Sequence, residues 1–393
     1  MIYFIVLIIL LIFVLRYDIN GKVRYRNECY HAMLIIFILI AGLRYRLMSD
    51  TPNYIGYFYH DYPYLKDFTF DDYPIGKDPF YVLINSFVKS IGGRFYWVQL
   101  IEAAFVNVLL FKYFRLHCKY IFTCLFFYSI TCYLGYSMDT MRASFSIVIC
   151  LYANDCLLER KWIKGYFLII LALFFHGQTI VLLFVPLLLF LRLNKKGAII
   201  LVTIFFVGIV IQKSLGDYLE LLELGDEIGS KASNYVNDEQ YGERGGNLNF
   251  LIVNIFPDLL YSLFCVFYLK KYHSDTKVLK LEPLIMIGVF FLILQINLQI
   301  AYRYVDYFRA YFCIFFAETF IQLIMSANRF TLSVKISRAI IVFLAFFLLT
   351  GYYRYKRFFL IYPYSSVLER STDHERELFF SIGDRPTANF NEY

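Results

Sequence analysis

Charge is scarce in this chain. Asp, Glu, Lys and Arg together make up 18% of the residues, where a soluble domain carries about a quarter. So few charges argue against a soluble enzyme and against a disordered chain. The eight cysteines (29, 118, 124, 132, 150, 156, 265 and 313) form no CxxC pair. Most lie inside apolar stretches and read as small buried hydrophobes rather than disulfide partners or metal ligands. No internal repeat and no low-complexity linker divides the chain. No basic residue precedes the apolar stretch Met1–Leu15, and no small-residue cleavage site follows it, only Arg16-Tyr17-Asp18. That pattern predicts a retained first span rather than a cleaved signal peptide. The apolar runs are continuous instead of alternating, which makes a β-barrel a poor fit.

What fills the chain is apolar and aromatic. Hydrophobic residues reach 60% of the 393 positions, with 43 Phe and 36 Tyr but 2 Trp, and the mean hydropathy is +0.57. The expectation is an all-α polytopic integral membrane protein. Apolar stretches at about 1–15, 31–43, 97–111, 120–136, 141–158, 165–176, 178–191, 198–212, 250–269, 282–300, 305–325 and 339–353 give about 12 transmembrane helices. The pair 165–176 and 178–191 is short enough to form one bent or re-entrant unit.

The net charge of +7 would suggest nucleic acid in a soluble protein. Here the basic residues punctuate the spans, which predicts topology and no nucleic-acid partner. Connections 16–31, 112–119, 159–164, 192–197, 270–281 and 326–338 hold 20 Lys and Arg in 61 positions. Connections 44–96, 137–142, 176–179, 213–249, 301–309 and 354–393 hold 18 in 149. The basic set is expected on the cytoplasmic side. Loops 44–96 and 213–249 and the tail 354–393 are then outside, appended to a single transmembrane domain, 1–353.

Polar groups at membrane depth are costly and often functional. Four groups stand out: Gly42-Leu43-Arg44-Tyr45-Arg46 with Asp50 and Tyr54; Arg142; His176; and Tyr302-Arg303-Tyr304-Val305-Asp306-Tyr307-Phe308-Arg309. Each has a purely structural reading. An arginine at a helix end snorkels, a lone histidine is commonly a satisfied core residue, and tyrosine-rich flanks form aromatic belts. In the derived topology, however, Arg44, Asp50, Arg142, His176 and Arg303 all fall at the outer surface, where the charge rule does not ask for arginine. Guanidinium forks match phosphate oxygens, so a lipid-linked diphosphate is their natural partner.

Several of these residues carry a resemblance to the EpsG family of Wzy-type polysaccharide polymerases. The carriers are GxRyxxxxDxxxY from Gly42 to Tyr54, Asp78-Pro79-Phe80-Tyr81, the isolated Arg142, FFHGQTIVLLFVPLL from Phe174 to Leu188, AYRYVDYF from Ala301 to Phe308, and Tyr362-Pro363-Tyr364. Family members commonly have Glu-Pro where this chain has Asp78-Pro79, and Gln where it has Ala143. The resemblance implies a membrane glycosyltransferase-like (GT-C-type) bundle in a bacterial inner membrane. Its site would face the periplasm or exterior and join repeat units carried on undecaprenyl diphosphate into a surface polysaccharide. It implies no cofactor and no metal. Undecaprenyl-diphosphate-linked oligosaccharide would be both donor and acceptor in the membrane lipid, and a chain-length regulator would be a further partner.

On that reading Arg142 and Arg303 stabilise the leaving diphosphate, and His176 is the base, with Asp50 second. Arg44, Tyr54, Asp78, Tyr304 and Arg309 are expected to bind substrate. Rival readings are a lipid-linked oligosaccharide flippase or transporter, an O-antigen ligase and a membrane O-acyltransferase.

Overall fold

The computed structural model describes residues 2–221, 251, 255–298, 301–325 and 364–368. Those residues are helical, apart from turns and one isolated bridge between Arg44 and Ser366. They divide into two compact units. The first comprises Met1–Tyr113, Cys132–Leu183 and the C-terminal residues from Arg354; the second comprises Phe114–Thr131 and Phe184–Tyr353.

The first unit holds α1 (Ile2–Phe13), α2 (Arg26–Gly42), α3 (Thr51–Gly56), α4 (Pro79–Ser90), most of α5 (Phe95–His117), α7 (Met141–Leu158) and α8 (Trp162–Leu173). The second holds α6 (Ile121–Thr131), a short α9 (Val185–Leu188), α10 (Lys195–Leu221), α11 (Phe256–Tyr272), α12 (Glu282–Asn297), α13 (Tyr302–Asp306) and α14 (Arg309–Met325).

Among the described residues four helical stretches are long and apolar enough to cross a membrane: Ile2–Ile19, Phe95–His117, Met141–Leu158 and Lys277–Asn297. Ile121–Thr131, Trp162–Leu173 and Gly177–Leu188 are apolar but shorter. A twelve-residue helix rises about 18 Å, well under the roughly 30 Å of a hydrocarbon core. The expected span at 339–353 and most of the loop 213–249, with its Gly245-Gly246 pair, lie outside the described residues.

Burial separates central helices from peripheral ones. Met141–Leu158 is predominantly apolar and is buried round most of its circumference, as a central helix must be. α1 is more apolar still, yet buries only the stripe Tyr3, Val6 and Leu10. Its Ile5, Ile8 and Ile12 are exposed, and a face of that kind needs lipid. α7 and α8 pack closely because Gly165 has no side chain. A Cβ there would stand 2.6 Å from Leu157 Cδ2. Ser146 Oγ donates to Ala172 O at 2.7 Å across the same pair.

The stretch 44–96 is a folded cap and not a plain loop. It contains α3 and α4, and Tyr54, Phe58, Tyr62, Tyr81, Val82 and Val88 form a core with Phe95, Val98, Met141 and Phe145. Each large apolar side chain withdrawn from water there contributes about 1.5–3 kcal/mol. These tyrosines therefore serve the cap's own packing.

Contacts sort the connections of the first unit into the two sets that the basic residues define. At one end Tyr45 N bonds Ser365 O, Ser49 Oγ bonds Asp139 and Phe80 N bonds Phe174 O. This end joins 44–96, 137–142, 174–177 and the C-terminal segment. At the other end Tyr30 Oη bonds Phe111 O and Tyr113 Oη bonds Asp155. In the second unit Glu282 accepts from Leu193 N and from Lys270 Nζ, each at 2.8 Å. Arg309 reaches Asp258 at a separate place in the chain.

Candidate functional site

The site of the first unit is built around Asp78. Asp followed by Pro is a helix-start signal, and α4 does begin at Pro79. The Asp78 carboxylate does not cap that helix. Its backbone stands at φ 54°, ψ 55°, in the left-handed region that Asp and Asn tolerate better than most residues. That conformation turns the side chain away from α4. Oδ1 accepts the Gly177 backbone N–H at 2.9 Å. Oδ2 accepts from Arg142 Nη1 at 2.9 Å and lies 3.6 Å from His176 Nδ1. The segment after α8 is open here because the helix stops at Leu173 and restarts as a tighter 3-10 turn from Gly177.

Arg142 enters at the first turn of α7. The wide π-type turn Gly135–Asp139 precedes it, and such turns gather at functional sites. The guanidinium lies over the Tyr54 ring, 5.6 Å from its centroid. Its side chain keeps 35% of its exposure, against 5% for Asp78 and 17% for His176. Arg142 is thus the group of the three that a ligand reaches most readily. The second ring nitrogen of His176 sits 3.3 Å from Gln178 Oε1. Tyr54 and Tyr62 are buried, which raises both phenols above their ordinary pKa despite the nearby Arg142. Both therefore remain neutral hydroxyls at physiological pH.

Asp50 belongs to the same neighbourhood. Its backbone N–H donates to Asp139 Oδ1 at 3.3 Å, and both carboxylates act on the Tyr54 hydroxyl. Arg44 takes a different position from the surface one expected. It is fully buried, and Nη1 donates to Ala41 O at 2.6 Å and to Ser137 O at 3.3 Å. Glu102 is also fully buried, and neither of its carboxylate oxygens has a hydrogen-bond partner. The C-terminal segment holds this place together: Val367 N donates to Leu43 O and Tyr364 Oη to Ile40 O. Tyr364 belongs to the Tyr-Pro-Tyr motif noted in the sequence.

Three expected residues belong to the second unit. Arg303 Nε donates to the Tyr302 hydroxyl at 3.2 Å. Tyr304 packs its ring against Phe291 at 5.4 Å. Arg309 spans two carboxylates, with Nε on Asp306 and Nη1 on Asp258, each at 2.7 Å. Two acids on one guanidinium already satisfy its fork, so Arg309 ties the start of α14 to the start of α11. Asn297, a deep polar residue of α12, donates to Phe205 O at 3.0 Å and so binds α12 to α10.

Glu102 and Asp139 are the polar residues that sequence reasoning passed over. Glu102 sits inside the apolar stretch 97–111, and the rule that singled out Arg142 and His176 applies to it equally. Asp139 stands three residues before Arg142 and was hidden beside it. All eight cysteines are free, seven buried and Cys29 half-buried. Among the described residues no three His, Cys, Asp or Glu side chains gather as a metal ion requires.

No curated protein and no solved structure matches the chain. A family model does: that of the EpsG family aligns with residues 27–366. The aligned region takes in Arg44, Asp50, Tyr54, Asp78, Arg142, His176, the Arg303 segment and the C-terminal residues docked beside Leu43. By that match over most of its length, the chain belongs to the EpsG family.

Proposed function

We propose that this membrane protein polymerises lipid-diphosphate-linked oligosaccharide repeat units into a surface polysaccharide. Membership of the EpsG family associates the chain with polysaccharide polymerisation in general. The finer reading rests on one observation: an accessible arginine at the Asp78 end of the first unit, with a histidine on the same carboxylate. In this reading the chain crosses the membrane about twelve times, as a GT-C-type bundle. The poorly basic connections face the outside of a bacterial inner membrane, and the Asp78 end faces outward with them.

The chemistry follows from the charges. The acceptor hydroxyl oxygen attacks the anomeric carbon of the donor. The bond to the diphosphate oxygen breaks, and its electron pair leaves with that oxygen. The negative charge that grows there meets the Arg142 guanidinium, whose planar fork suits phosphate oxygens. The proton lost by the hydroxyl passes to His176, held beside Asp78. Undecaprenyl diphosphate is the expected leaving group. Arg44, bonded to the carbonyls of Ala41 and Ser137, supports the frame and does not touch the substrate.

The test is complementation. In a strain lacking this chain, the wild-type protein is expected to restore a ladder of long polysaccharide. His176→Ala, at equal membrane abundance, is expected to leave single repeat units. Lipid-linked units stranded on the cytoplasmic side of the deletion strain would instead favour a flippase. A full ladder from His176→Ala would remove the histidine from the mechanism.

A further inference from the structure

We propose that Asp78 is not a substrate ligand but a positioning residue that Arg142 and His176 share, and that it holds Arg142 in check until an anion arrives. The inference rests on the polymerase reading for its kinetic part and on geometry alone for its binding part. Three groups from two separate segments converge on this one carboxylate: Arg142 Nη1 and Gly177 N at 2.9 Å each and His176 Nδ1 at 3.6 Å. The carboxylate is almost fully buried and points away from the helix it should cap. A sugar has no clear approach to it, because both oxygens already face donors.

The two oxygens do different work. Oδ1 fastens the segment after α8 through the Gly177 amide. Oδ2 alone faces the two side chains that carry the proposed chemistry. It neutralises Arg142 and lies beside the ring nitrogen of His176 at the same time. An incoming diphosphate supplies Arg142 with a second anion and competes for its guanidinium. As Arg142 turns toward the diphosphate, Oδ2 is left with His176 as its remaining side-chain partner. A carboxylate on one imidazole nitrogen fixes the ring and stabilises the charge it gains on taking a proton. Donor binding would in this way prepare the base, and the empty site would keep Arg142 and Asp78 as a neutral pair.

Asp78→Asn separates this role from the alternatives. Asn tolerates the left-handed backbone, and its carbonyl oxygen still accepts from Gly177. The Oδ2 charge is what disappears. The probe is inorganic pyrophosphate, titrated against purified full-length protein in detergent and read by calorimetry. Folding is checked by elution profile and thermal unfolding. The lost carboxylate frees Arg142, so Asp78→Asn is expected to bind pyrophosphate about tenfold more tightly than wild type. Arg142→Ala is expected to bind it more weakly than either. In the polymerisation assay Asp78→Asn is expected to lose about a hundredfold in kcat, the lower end of what a positioned base supplies. The KM for donor should stay level or fall, and Asp78→Glu should recover part of the rate.

Weaker or unchanged pyrophosphate binding by folded Asp78→Asn overturns the proposal. So does a fall in both binding and rate, which a substrate ligand or a structural residue would give. Tighter binding together with no polymer from the wild type keeps the shared carboxylate and rejects the polymerase reading.

Discussion

Arg142→Ala is expected to cut polymer formation by about two to three orders of magnitude, the cost of removing one preorganised charge from a developing oxyanion. The protein should still fold. Asp78 keeps the Gly177 amide, and the core of the cap does not depend on the guanidinium. Arg142→Lys should recover only a part of the rate. Lysine keeps the charge and loses the planar fork and its place over the Tyr54 ring. The measurement is the initial rate of chain growth, with donor concentration varied. A loss confined to kcat/KM at low donor, with kcat intact, would make Arg142 a binding residue rather than a stabiliser of the departing diphosphate.

Arg44 is expected to show its effect in stability. Arg44→Met removes the two hydrogen bonds by which the buried guanidinium ties Ala41 O to Ser137 O, each worth about 1.5–3 kcal/mol as a bond from a charged group. The variant should unfold at a clearly lower temperature in detergent and accumulate poorly in membranes. If Arg44→Met is as stable as wild type and yet inactive, the burial is not its role, and Arg44 returns to the list of substrate ligands.

The sequence revealed the fold where the apolar signal was long and unbroken. Met141–Leu158 and Lys277–Asn297 appear close to where hydropathy puts them. The cap was read as a loop because its core is made of tyrosines and its helices are short. Hydropathy counts Tyr as nearly neutral, so the burial of Tyr54, Tyr62 and Tyr81 left no trace in the pattern. The stretch 165–191 carried its own warning in the short halves, and the helix does break at residues 174–176.

The site was legible residue by residue and not as a group. Arg142 and His176 stood out because each is a polar side chain in an apolar setting. That they share Asp78 depends on a chain reversal across 64 residues in one case and 98 in the other, and no local pattern encodes it. Arg44 shows the reverse limit. An arginine after a span either snorkels outward or folds inward. Here the carbonyls of Ala41 and Ser137 decide for inward. The Glu102 signal was present in the sequence and simply outweighed by the apolar residues around it.

This chain alone is expected to join lipid-linked repeat units. The measurement that meets this expectation most directly is reconstitution of the purified protein in liposomes with its lipid-diphosphate-linked repeat unit and no nucleotide sugar. The account predicts a ladder of products rising by one repeat unit, with free lipid diphosphate released in step. Repeat units that cross the bilayer unchanged, with no ladder and no released lipid diphosphate, would contradict it.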